Sequence, residues 1–236
     1  MSREIKQDYE KLISYFADYN LSDVISNPNF LNNMKCIHKK LYTYQIFICE
    51  AEAHKLFPSA SILEYYAEVG SDLILSLFCW ANGAYKPAEF QLRSAIENFL
   101  KASLQSIKDD IILCKNVSDI MDFASTSTFF NNPICKSDFE ILRNKYSILC
   151  AFVHSSPEKL ISEKALIQLP KYNEPLAKEF TQNFLAILNC FLCFIYYNYY
   201  EFVFSIHNAN RNLFLQGLSS SDKEKIYKEK TKNTDF

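Results

Sequence analysis

The chain has 236 residues, 49% of them hydrophobic, with a formal net charge of -2 and a pI near 6.1. That length and apolar content suit one large domain or two small ones with a real core, and exclude a largely disordered chain. The near-neutral charge excludes a global basic field of the kind that drives non-specific duplex binding, so any nucleic-acid contact has to be local.

Only 3 glycines and 7 prolines are available for turns, too few for a hairpin-rich β fold, and long stretches carry apolar residues at three- and four-residue spacing. The pattern predicts an all-α protein of six or seven helices without an internal repeat. A first helix is predicted over 3–18, where Ile5, Tyr9, Leu12, Ile13 and Phe16 form one stripe; "NLSDVISNPN" breaks it. The second spans about 30–56 and ends at "FPSAS", and the third spans about 61–80, stopped by "NGAYKP" with Gly83. Pro87 is expected to open the fourth, "PAEFQLRSAIENFLKASLQS", since a first-turn proline loses no hydrogen bond. A short helix follows near 117–124, then a polar loop, "STSTFFNNP". Ser137 and Glu140 in "SDFE" have capping-box spacing and predict a helix starting there. The last long helix begins after "NEP" and reaches about 206, and "SSSDKEKIYKEKTKNTDF" reads as a charged, frayed tail. The domain expectation is N-terminal helices over 1–58, a helical bundle over 59–208 and the tail over 209–236.

The 8 cysteines sit mostly in apolar helical runs, where a free thiol acts as a small hydrophobe. "CFLC" at 190–193 has redox or zinc spacing, but it lacks a second ligand pair and a preceding thioredoxin-like strand, so it reads as a buried helix face. The charged opening "MSREIKQDYEK" carries no secretory signal, which predicts a reducing cytoplasm without disulfides. The uncharged segment "FTQNFLAILNCFLCFIYYNYY" at 180–200 is long enough to span a bilayer. Its Gln182, Asn183, Asn189 and Asn198, and its lack of flanking basic clusters, favour the central helix of a soluble bundle, with enough apolar surface left over to drive self-association.

Candidate chemistry concentrates in "ILRNKYSILCAFVHSSP", 141–157. On a helix, Arg143 and His154 differ by about 20° around the axis and lie about 16 Å apart along it, so they share a face but not one phosphate unless the helix bends or a second chain contributes. In the preceding amphipathic helix, Arg93 and Glu97 stand at i,i+4. Elsewhere, His38 and Cys36 at i,i+2 point apart. His54 reads as solvent-facing, and His207 beside Arg211 reads as a helix end. No Walker loop, dinucleotide fingerprint or zinc quartet is present.

A helix "LRSAIENFLK" followed some fifty residues later by "NKYSILCAFVHSSP" resembles the HEPN superfamily (higher eukaryotes and prokaryotes nucleotide-binding), in its bacterial phage-defence and toxin branches. The resemblance covers about residues 60–205 and implies a helical bundle, here with an additional N-terminal helical segment, that is commonly dimeric. It also implies a metal-independent endoribonuclease whose site is an arginine, a polar residue and a histidine four to six positions on. Arg143 and Asn144 match the first two, but Ile148, Leu149 and Cys150 occupy the histidine's expected range and His154 comes later. Arg93 and Glu97 match a recurrent arginine and glutamate.

On that resemblance His154 is the acid/base, Arg143 or Arg93 the phosphate clamp, and Asn144 and Tyr146 position the scissile group, with Glu97 in support. No cofactor or metal is expected. The expected partners are RNA as substrate, a second copy as homodimer and a regulatory protein of a defence or toxin–antitoxin system, with no membrane. The residues also admit plainer roles: His154 as a helix-end cap and Arg93–Glu97 as a stabilising ion pair. The alternative function is an inert helical module that docks a partner or its own copy.

Overall fold

A computed structural model describes residues 2–17, 21–153 and 172–232. Among these residues every regular element is helical: α1 (Arg3–Ala17), α2 (Ser22–Ile25), α3 (Pro28–Ala53), α4 (Ala60–Ala81), α5 (Tyr85–Gln105), the 3-10 turn η1 (Asp109–Leu113), α6 (Val117–Thr126), α7 (Cys135–Val153), α8 (Glu174–Asn198), α9 (Tyr200–Ser205), α10 (Asn208–Gln216) and α11 (Ser220–Thr231).

Asparagine and proline set several starts. Asn27 Oδ1 accepts from the Asn29 and Phe30 amides at 2.9 and 3.2 Å, with Pro28 in the first turn of α3. Asn173 caps α8 in the same way ahead of Pro175, accepting from Leu176 N at 3.2 Å. The expected capping box at Ser137 and Glu140 does not start α7. Asn132 does so instead, accepting from the Ile134 and Cys135 amides at 3.1 and 2.8 Å. Pro133, whose fixed φ favours a first turn, follows it directly. Helix α5 likewise begins at Tyr85, two residues before Pro87, which still falls in the first turn, where its missing N–H costs nothing. Gly83, at φ 76°, closes α4: its amide reaches Trp80 O at 3.0 Å and Ala84 N reaches Cys79 O at 2.8 Å, a Schellman end that needs a left-handed residue.

Helices α4 and α5 form an antiparallel hairpin, fixed by Ser76 Oγ donating to Ala88 O at 2.7 Å and by Tyr66 and Ser103 hydroxyls 3.0 Å apart. Helix α8 is the central element. Phe191 stacks on Phe99 of α5 at 4.0 Å, Phe194 meets Phe130 edge-on at 4.9 Å, and Phe180 stacks on Trp80 of α4, which also stacks on Phe30 of α3. Each such fully buried ring contributes about 2 to 3 kcal/mol. Cys190 and Cys193 are buried in this helix, and all eight cysteines are free. Helix α8 is the one described helix long and apolar enough to cross a membrane, and 72% of its apolar window is buried within the protein. Most of the apolar surface of α8 is therefore covered inside one chain.

The expected single helix to 206 is interrupted at Tyr199, which leaves helical geometry at φ -113° and ψ 33°. Its hydroxyl lies 3.4 Å from that of Tyr66, and its ring packs on Phe47 and Phe57. The charged end is also ordered as helix over α10 and α11. His207 caps α10, its Nδ1 accepting from Ala209 N at 3.3 Å. In α11, Ile226 is buried in the common core, and Lys230 Nζ sits 4.1 Å from the Tyr197 ring centre. One hydrophobic cluster thus runs from Ile5 to Ile226. The buried His38 fastens α1 to it, its Nε2 2.8 Å from Asp8 Oδ2.

Candidate functional site

Helix α5 turns a polar stripe toward α7. Glu89, Arg93 and Glu97 recur every four residues, so they share one face of the helix. Arg93 donates from Nε and Nη2 to the Tyr146 hydroxyl at 3.1 and 2.9 Å, and the Tyr146 hydroxyl donates to Glu97 Oε1 at 2.8 Å. The triangle closes through an Arg93 Nη2–Glu97 Oε1 ion pair at 2.8 Å. The Arg93 guanidinium also lies 5.3 Å from the centre of the Tyr146 ring. One step along the stripe, Lys145 Nζ donates to Asn183 Oδ1 at 3.0 Å, and Asn183 sits 3.5 Å from the buried Glu89 carboxylate.

These contacts fix the charge states. Burial pushes the Tyr146 phenol far above its ordinary range, and the Glu97 acceptor pushes the same way against relief from Arg93, so the hydroxyl keeps its proton at neutral pH. Burial works against the charge of Arg93, yet its hydrogen bond to Tyr146 and the nearby Glu97 carboxylate hold its pKa above the usual value.

Beside this triangle is an open cleft of about 510 Å³ between α6 and α7. After α5, η1 tucks Ile111 into the core and reverses the chain, which returns α6 alongside α5. Arg93, Arg143 and Tyr146 line the cleft from α5 and α7; Lys115, Ser118 and Asp122 line it from the α6 side. Arg93 is tied down, whereas the side chains of Arg143 and Lys115 make no hydrogen bond or ion pair among the described residues. The cleft therefore offers two uncommitted cations, one carboxylate, one protonated phenol and one paired guanidinium.

Of the residues singled out in the sequence, Arg93, Glu97, Tyr146 and Arg143 come together here. Asn144 does not line the cleft and is exposed on another face of α7. His154 lies outside the described residues. Lys115, Ser118 and Asp122 were not legible as site residues: Ser118 and Asp122 at i,i+4 share a face of the short helix expected near 117–124, but nothing in the sequence tells which element that face meets. Among the described residues, no three His, Cys, Asp or Glu side chains converge as a metal site. Of the other histidines, His38 and His207 have the structural roles above, and His54, at the end of α3, lies 3.3 Å from Glu50. No family model, characterised protein or solved structure matches this chain.

Proposed function

We propose that the protein is a HEPN-like, metal-independent endoribonuclease, acting in the cytoplasm as a toxin or effector of phage defence or of a toxin–antitoxin system. The observation that carries this reading is the cleft itself, where Arg143 and Lys115, unpaired among the described residues, can meet a phosphodiester next to Arg93 and a protonated Tyr146. Arginine can hold two phosphate oxygens at once, and fixed cations stabilise the charge that develops on the phosphorane. In the reaction the RNA 2′-oxygen attacks phosphorus and gives up its proton, the bond to the 5′-oxygen breaks, and that oxygen gains a proton. The products are a 2′,3′-cyclic phosphate and a 5′-hydroxyl. His154 of a second copy moves the protons, Arg143 clamps the phosphate and Tyr146 orients it. Expression of the wild type in cells should arrest growth with loss of RNA integrity, and His154→Ala should do neither. Equal growth arrest by the two would remove His154 from the mechanism.

A second reading, an inert helical module that docks a partner or its own copy, draws on the outer face of the α4–α5 hairpin. The Ser76–Ala88 bond sets Ile74 level with Phe90, and Ile74, Leu75 and Phe90 are 49%, 49% and 38% exposed. A homodimer belongs to both readings, so sedimentation alone does not separate them; RNA cleavage does.

A further inference from the structure

We infer that the α6 wall of the cleft is a base-recognition subsite selecting guanine, with Asp122 as the residue that sets the preference; this rests on the ribonuclease reading above. The observation behind it is a charge of the wrong sign for a phosphate site. Asp122 lines a cleft that also holds Arg93, Arg143 and Lys115, yet its carboxylate makes no ion pair or hydrogen bond among the described residues. The cations and the carboxylate share the cleft without joining.

Their separation suits one nucleotide. Lys115 stands in the non-helical segment before the Asn116 cap, and Asp122 lies about 7.5 Å along the axis from Val117, the first residue of α6, so the two charges sit at opposite ends of this wall. That arrangement leaves room for one nucleotide between them, its phosphate toward Lys115 and its base edge toward Asp122. Between them the lining turns apolar at Val117 and Met121 on α6, opposite Cys150 on α7, a surface fit for the flat face of a base. An open cleft of about 510 Å³ falls within the usual range of small-ligand sites.

The chemistry of the acceptor chooses the base. A carboxylate only accepts, and it accepts best from two donors side by side. Among the unpaired bases of single-stranded RNA, only guanine presents adjacent donors, N1–H and N2–H, on its Watson–Crick edge. Adenine and cytosine each set a ring acceptor beside their amino group, and uracil flanks its single N–H with two carbonyls, so all three turn a lone pair toward Asp122. The carboxylate would otherwise repel the phosphates of an incoming strand, and the two guanine donors offset that repulsion.

The test is fluorescence anisotropy in EDTA with labelled 2′-fluoro octamers, uridine throughout except for one central guanosine, inosine, adenosine or cytidine. The 2′-fluoro sugar removes the attacking hydroxyl, so binding is read without cleavage. The guanosine octamer should bind about 10-fold or more tighter than the adenosine and cytidine octamers, the discrimination expected of a bidentate pair. Inosine, which lacks the N2 amine, should fall between. Asp122→Asn should abolish the preference while circular dichroism stays unchanged, whereas Arg143→Ala should weaken all four octamers together. Equal affinities for all bases, or a guanine preference that survives Asp122→Asn, would overturn the subsite and leave the ribonuclease reading standing. If no octamer binds and natural RNA is not cut, the ribonuclease reading fails and the subsite fails with it.

Discussion

Arg93 and Arg143 line the same cleft, but Arg93 is tied to Tyr146 and Glu97 whereas the Arg143 side chain makes no hydrogen bond or ion pair among the described residues. The Arg93 guanidinium is shared between Tyr146 and Glu97, so Arg93→Ala takes one of the two partners from each of these half-buried polar groups. Losing hydrogen bonds to a charged group costs about 1 to 3 kcal/mol, and thermal melting should register it. Arg143 has no hydrogen-bond or ion-pair partner among the described residues to strand. Arg143→Ala should leave the melting temperature within error and instead weaken RNA binding, with the slope of log K against log salt reduced by about one phosphate contact. A large loss of stability in Arg143→Ala, or none in Arg93→Ala, would reverse these assignments. The i,i+4 relation of Arg93 and Glu97 was legible in the sequence because a helix fixes it. The third member, Tyr146, is 49 residues from Glu97, and only the packing of α7 on α5 brings it in.

Between elements, the least expected contact is the docking of the charged C-terminal helix. Asp138 on α7 faces Asp222 and Lys225 of α11 and the Cys193 thiol of α8; burial first, then the Asp222 carboxylate, against partial relief from Lys225 and Cys193, raises its pKa to about 6. An unfolded aspartate titrates near 4, so between about pH 4 and 6 the folded protein holds a proton that the unfolded chain has released. The contribution of Asp138 to stability is therefore greatest below pH 4 and declines as the pH rises to about 6. Asp138→Asn should raise resistance to urea at pH 7.5 relative to the parent, with the gain vanishing near pH 4; an equal gain at both values would detach it from ionisation.

The sequence could reveal most helices because apolar spacing and asparagine–proline caps are local signals. It misled where two local signals competed, as when Ser137 and Glu140 offered a capping box just downstream of the Asn132–Pro133 start. It was silent where the cause is tertiary. The break at Tyr199 carries no glycine or proline and follows from packing on Tyr66, Phe47 and Phe57. Helix α11 looks like solvated tail by charge, and it is held by Ile226 in the core and Lys230 over Tyr197.

For the whole molecule, one core from Ile5 to Ile226 leaves α5, α6 and α7 to shape the cleft on its flank. Alongside it the Arg93–Tyr146–Glu97 triangle ties α5 to α7, while the side chains of Arg143, Lys115 and Asp122 on its walls are unpaired among the described residues. A packed scaffold that presents a few uncommitted charges in a preformed groove is suited to bind a charged ligand with little reorganisation. The most direct measurement is incubation of purified protein with RNA in excess EDTA, with end-group analysis of the products. The account predicts cleavage that leaves 2′,3′-cyclic phosphate and 5′-hydroxyl ends, is lost in His154→Ala and is weakened in Arg143→Ala, all at unchanged helical content. Cleavage that stops in EDTA, products bearing a 3′-hydroxyl, or a His154→Ala variant as active as the wild type would contradict it.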